Sequence, residues 1–131
     1  MRAPVSFDYA LIRVVPRVER EEFVNAGLIL FCSERQFLQA RVIVERPRLE
    51  ALWPALDVEL VKQHLEAILT ICAGEPCAGP IGKLTLRERF HWLVAPRSTI
   101  IQVSPVHSGI CEDPVQKIDQ LFSRSVLSRS L

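Results

Sequence analysis

The sequence predicts an α+β fold: a three-stranded antiparallel meander, then helices and one late strand, in a mixed or antiparallel sheet covered by helices. Three observations carry that prediction. Before residue 46, runs rich in β-branched and aromatic residues follow one another with only short polar turns between them. After Pro47 the apolar spacing changes to a helical period. A single strand-like run, Ser98 to Val106, then returns late in the chain.

The first strand is read over Phe7 to Val15, FDYALIRVV, and stops at Pro16. PRVEREE is short and highly charged, which suits an exposed connection and antiparallel pairing. The second strand, Val24 to Ser33, is apolar on both parities and so belongs inside the sheet. Gly27 within it signals a bulge or a close approach by another group. Gln36 to Glu45 supplies the third strand. Asp57 then stands as an N-cap before Val61, His64, Leu65, Ile68, Leu69 and Cys72, and Gly74 closes the helix. The Gly- and Pro-rich stretch AGEPCAGPIGK reads as a loop. Thr85-x-x-Glu88 offers a capping box for a short helix ending before Pro96. Asp113-Pro114 opens the last helix, with Val115, Ile118, Leu121, Phe122 and Val126 on one face, and residues 123–131 are expected to fray.

Composition narrows the class. With 131 residues, 49% hydrophobic and 24% charged, the chain suits a single α+β domain over 1–131 rather than a disordered or fibrous protein. The formal charge of +1, from 16 basic and 15 acidic residues, provides no global field toward nucleic acid or anionic lipid. No apolar run reaches the roughly 20 residues of a membrane-spanning helix, and MRAPVSFDYA lacks the apolar core of a secretory signal. A cytoplasmic location is therefore expected. Cys32, Cys72, Cys77 and Cys111 contain no C-x-x-C pair and read as reduced thiols, mostly core filler.

Polar groups crowd the stretch from Phe90 to Gly109. His91, Arg97, Ser98, Thr99, Gln102, Ser104, His107 and Ser108 alternate there with Ile100, Ile101, Val103 and Val106, the pattern of a strand lining a polar surface. Arg13 interrupts an apolar strand, and Asn25 is a similar intrusion in the second. The Arg13 guanidinium must reach an edge, pair with an acid, or meet an anionic ligand. Two arrangements are open: an internal ion pair from Arg13 or Arg97 to Glu19, Glu21 or Glu22, or an anion site built with Arg17, Arg97, Ser98 and Thr99. Cys77-x4-Gly82-Lys83-Leu84 fails as a phosphate loop, since Cys77 replaces the first glycine and Leu84 the hydroxyl. Cys72, Cys77, His107 and Cys111 are ligand types for zinc but lack paired spacing, so no metal or cofactor is expected. A Cys111 nucleophile beside His107 has only sequence proximity behind it, while His64 and His91 read as packing residues.

FDYALIRVVPRVEREEFVNAGLILFC near the start and RERFHWLVAPRSTIIQVSPVHSGICEDP later resemble the bacterial family called domain of unknown function 3037, along nearly all of the chain. The resemblance carries no reaction, substrate or catalytic residue. It implies a neighbour: members are often encoded beside a HipA-like kinase protein, which suggests a two-protein system.

Two functions follow as expectations. The first is a non-catalytic partner or regulatory module binding another protein, with a HipA-like kinase as candidate, through the polar surface that includes Arg97, Ser98, Thr99, Gln102, Ser104 and His107. It calls for an apolar patch rimmed by those groups or an accessible sheet edge. The second is a small enzyme or binding protein for a phosphorylated or carboxylated ligand. There Arg13, Arg17 and Arg97 hold the anion, with Asn25 a further donor, Ser98, Thr99 and Gln102 orient it, and His107 is the general acid or base. Nucleic acid fits least, because the arginines alternate with acids and no stacking aromatics are interleaved. Self-association stays open.

Overall fold

A computed structural model describes residues 3–97 and 99–127. Strands β1 (Val5–Val14), β2 (Val24–Cys32) and β3 (Phe37–Val42) form the meander, in which β1 pairs antiparallel with β2 and β2 with β3. Helices α1 (Arg46–Leu52), α2 (Val58–Ala73) and α3 (Leu86–Leu93) follow, then β4 (Ile101–Val103), β5 (His107–Cys111) and α4 (Pro114–Ser125). Both late strands pair antiparallel with the free side of β1, β4 along Ile12–Val14 and β5 along Val5–Tyr9. The sheet is thus entirely antiparallel, with β1 and β2 internal.

Helices cover both faces. Ile12, Val14, Ala26, Ile29, Phe31, Leu38 and Ala40 pack against Leu49 of α1, the Val58, Val61, Leu65 and Ile68 stripe of α2, and Phe90 and Leu93 of α3. On the other face Val5, Phe7, Leu28, Leu30, Cys32 and Phe37 pack against Ile118, Leu121 and Val126. This is why β2 is apolar on both parities: each alternate residue enters a different core.

The helix signals act as the sequence implies. The Asp57 carboxylate accepts from the Leu60 backbone N–H at 3.1 Å, a cap of about 1 kcal/mol, and Gly74 ends α2 at φ 68°. Thr85 and Glu88 close a reciprocal capping box, and the hydrogen bond from the Thr85 N–H is the leading reason why the Glu88 carboxyl lies below its ordinary range. Asp113 accepts from the Val115 N–H at 3.0 Å ahead of Pro114.

Four expectations need correction. The run Ser98 to Val106 is not one strand: it holds only β4, and a second strand, β5, begins at His107. Helix α1 arises where only a change of period was read, and the Gly/Pro loop contains 3-10 turns over Pro76–Lys83. Within α2, His64 is exposed and Leu69 is 36% exposed, so neither belongs to the buried stripe; on α4, Val115 also faces solvent. The expected fraying does not begin at 123. Helix α4 runs through Ser125 and Val126 is buried, because the Asn25 side-chain amide donates to the Ser125 carbonyl at 3.2 Å and Arg48 donates to the Val126 carbonyl at 2.9 Å. Residues 128–131 lie outside the described residues.

Gly27 satisfies both readings made of it. Register slips there: Ile12 faces Gly27, but Arg13 faces Asn25, leaving Ala26 as the extra residue of a bulge. A Cβ on Gly27 would also overlap the Arg41 carbonyl oxygen of β3. Gly27→Ala should therefore destabilise the fold by about 1–3 kcal/mol in urea denaturation, since the obstructing atom is sheet backbone that cannot rotate aside.

Candidate functional site

The polar residues singled out from the sequence fall into separate places. Arg13, Asn25 and Gln102 form one rung across β2, β1 and β4, on the face covered by α4. Cross-strand partners project to the same side of a sheet, so the bulge that skips Ala26 is what aligns Asn25 with Arg13. The Arg13 guanidinium stacks over the Phe23 ring at 4.2 Å from its centroid. Arg13 Nε and Asn25 Oδ1 are buried without a hydrogen-bond partner among the described residues. A cleft of about 400 Å³ opens beside the rung, lined by Arg13, Val15, Glu21, Phe23 and Gln102.

Arg97 and Thr99 belong to a different groove. With His64, Ile68, Trp92 and Ile101 they line about 260 Å³ beside α2 and α3, where Ile68 and Ile101 belong to the core on the other face of the sheet. Arg97 lies over the Trp92 ring at 4.1 Å and donates to the Trp92 carbonyl at 2.6 Å. The Thr99 hydroxyl donates to the Ile101 carbonyl at 2.6 Å. Gln102 donates to the Thr99 carbonyl at 3.1 Å. Arg17 sits elsewhere again, bridged to Glu19 at 2.5 Å and above the Trp53 ring at 5.1 Å. A hydrogen bond from its own backbone N–H, then the Arg17 guanidinium, holds the Glu19 carboxyl below its usual range. Ser98 lies outside the described residues.

The expected ion pair from Arg13 or Arg97 to Glu19, Glu21 or Glu22 does not form among the described residues. Arg17 takes Glu19 and Arg20 takes Glu22, each from two residues away, while Arg13 and Arg97 stack on aromatic rings. Local partners in the connecting loop outcompete a strand-borne guanidinium, whose backbone is already fixed by the ladder.

Ser104 has a backbone task. Its N–H donates to the Leu11 carbonyl at 2.9 Å, its hydroxyl accepts from the Leu11 N–H at 2.8 Å, and that hydroxyl donates to the Pro105 carbonyl at 2.9 Å. The hydroxyl thus stands in for a strand carbonyl at the break between β4 and β5. His107 opens β5 opposite Tyr9, ring centroids 5.3 Å apart, and is exposed. Beside it the Ser108 hydroxyl donates to Asp8 at 2.6 Å. His107 is therefore in a different setting from Arg13, Arg17 and Arg97, and a converged pocket of all these residues is not present. Of the thiols, Cys32, Cys72 and Cys111 are buried and Cys77 is exposed; among the described residues no three His, Cys, Asp or Glu side chains gather as a metal site.

Sequence reading named Glu21 only as a possible ion-pair partner and passed over Phe23 and Arg89. Glu21 sits in the left-handed region at φ 55°, a conformation no composition signal announces. Phe23, 43% exposed, is an aromatic inside a charged segment, a signal that was available. Arg89 donates to the Ile71 and Cys72 carbonyls at 2.9 and 2.8 Å and thereby ties α3 to the end of α2.

A profile of the family described as Protein of unknown function (DUF3037) matches residues 9–126, and the chain belongs to that family. No curated protein and no solved structure gives a significant match. Among the described residues, no helix is long and apolar enough to cross a membrane.

Three outcomes test this description. Ser104→Ala should cost about 1–3 kcal/mol in urea denaturation and speed hydrogen exchange of the Leu11 amide, which would lose its only acceptor there. At pH 8, a thiol reagent such as Ellman's should titrate Cys77 quickly and the other three slowly. Burial pushes the Cys72 thiol up from 9.0 to about 12. The folded thiol then stays neutral where the unfolded one ionises, so its contribution is intact below about pH 9 and lost as pH rises toward 12. Unfolding free energy should fall by about 1.4 kcal/mol per pH unit there, and Cys72→Ala should flatten that slope.

Proposed function

We propose that this chain is a non-catalytic module that binds another protein along its β4–β5 edge. One observation carries the reading: β5 is paired to β1 on one side and, among the described residues, has no strand on the other. The edge lacks the usual defences. His107–Cys111 contains no Lys, Arg, Asp, Glu or Pro, and Ile110 is 71% exposed with Val106 at 44% nearby. An uncharged edge with a protruding Ile suits β-augmentation, in which an extended segment of the partner adds a strand through main-chain hydrogen bonds. The opposite edge differs, for Arg41 of β3 is tied to Asp119 of α4 and Gln39.

A HipA-like kinase is the first partner to test, on the strength of the family's gene neighbourhood. The competing reading, an enzyme with a pocket uniting Arg13, Arg17, Arg97 and His107, loses support because those residues lie in different settings.

Mixed with the kinase-like protein of its own host, the chain should form a complex seen by size-exclusion chromatography with light scattering. Ile110→Asp should weaken it about tenfold or more and leave the fold's stability within about 0.5 kcal/mol, because that side chain faces solvent. A complex untouched by Ile110→Asp but lost with Trp92→Ala would move the interface to the α2–α3 groove. No complex with the unaltered chain would overturn the kinase assignment.

A further inference from the structure

The cleft beside the Arg13 rung holds two opposite charges that do not meet. Arg13 and Glu21 both line it, yet no ion pair within 4.0 Å joins them, and neither side chain makes a hydrogen bond or ion pair to another described residue. Around it, Arg17 with Glu19 and Arg20 with Glu22 are neutralised locally. In an open cleft, two charges left apart by a rigid backbone form a recognition pattern for a ligand carrying the complementary pair.

The backbone anchors both residues beside the cleft. Arg13 is fixed by ladders on both sides, and its guanidinium plane is set by stacking on Phe23 at 4.2 Å. No described residue accepts a hydrogen bond from the Arg13 side chain, so its terminal nitrogens, which unlike Nε are not buried, keep donors that the fold does not use. Glu21 is one of two non-glycine residues at positive φ among the described residues, at 55°. Such strain in an acid whose side chain makes no hydrogen bond or ion pair to a described residue is the kind found at ligand sites. Gln102, in the same rung, adds an amide, and Val15 and Phe23 give an apolar wall.

We infer that this cleft binds a small zwitterion, an α-amino carboxylate with an apolar side chain. The carboxylate lies on the Arg13 fork, the ammonium faces Glu21, and the side chain rests against Val15 and Phe23. A dianion such as phosphate is disfavoured, because the Glu21 carboxylate cancels the field that would hold it. This site is separate from the β5 edge, and it stands or falls without the partner proposed above.

Calorimetry and thermal unfolding of the full chain with L-phenylalanine and L-leucine test the inference. 3-Phenylpropanoate, phenethylamine and inorganic phosphate serve as single-charge and dianion controls. The expected result is a rise of about 4 °C in the unfolding midpoint with either amino acid at about ten times its Kd. Phenylalanine should bind at least about tenfold more tightly than 3-phenylpropanoate or phenethylamine. Arg13→Gln should abolish binding. Glu21→Asn, which suits the left-handed backbone and keeps the fold, should bring phenylalanine and 3-phenylpropanoate to nearly equal affinity. Failure of both amino acids to bind overturns the inference. So does phosphate binding as tightly as phenylalanine, or discrimination that persists in Glu21→Asn.

Discussion

Strand β1 must satisfy its backbone on both sides, and the rest of the structure is arranged around that constraint. Its ten residues, Val5–Val14, run between β2 and the late pair β4 and β5, with alternate side chains feeding opposite cores. A buried strand cannot leave N–H or C=O groups unpaired. The partner side is filled by β5 along its first half and by β4 along its last three residues. Between them the ladder passes through Leu11 and Ser104, where a side-chain hydroxyl accepts the hydrogen bond.

That arrangement has a consequence for surface chemistry. Because β4 and β5 are short and come late, they close one side of β1 and leave their own outer side open among the described residues. The edge is therefore a by-product of completing the central strand, and its uncharged composition makes it usable by another chain. The bulge opposite Arg13 acts similarly on the other side of β1. It turns Asn25 into the Arg13 rung, where the Asn25 amide nitrogen holds the end of α4 and its oxygen is left without a partner. One extra residue, Ala26, links the anchoring of the last helix to the shape of the Arg13 cleft.

Much of the fold was legible because it rests on local rules. Asp57, Gly74, the Thr85–Glu88 pair and Asp113-Pro114 mark helix ends through hydrogen bonds that span two to four residues, so sequence spacing alone reveals them. Gly27 was legible for a similar reason, as a residue without a Cβ in an otherwise apolar strand. The break between β4 and β5 was not, because apolar residues run on past it, from Ile101 and Val103 to Val106. Only the need of Leu11, 93 residues away, for an acceptor explains why Ser104 interrupts the strand. Among candidate site residues, Arg13, Asn25 and Gln102 do share one rung, whereas Arg17, Arg97 and His107 are distributed elsewhere. Their sequence proximity to other polar groups carried no information about which face of the sheet they would take.

By itself, then, the sequence determined the class of fold, the membership of the family, the meander and the capped helices α2, α3 and α4. Family membership follows from the match along residues 9–126, and the others follow from periodicity and capping within a few residues. Tertiary structure alone decided which arginines are neutralised, where the free edge lies, and that Arg13 and Glu21 share a cleft without pairing. Those outcomes depend on register and on the geometry of distant strands, and a one-residue bulge is enough to change them.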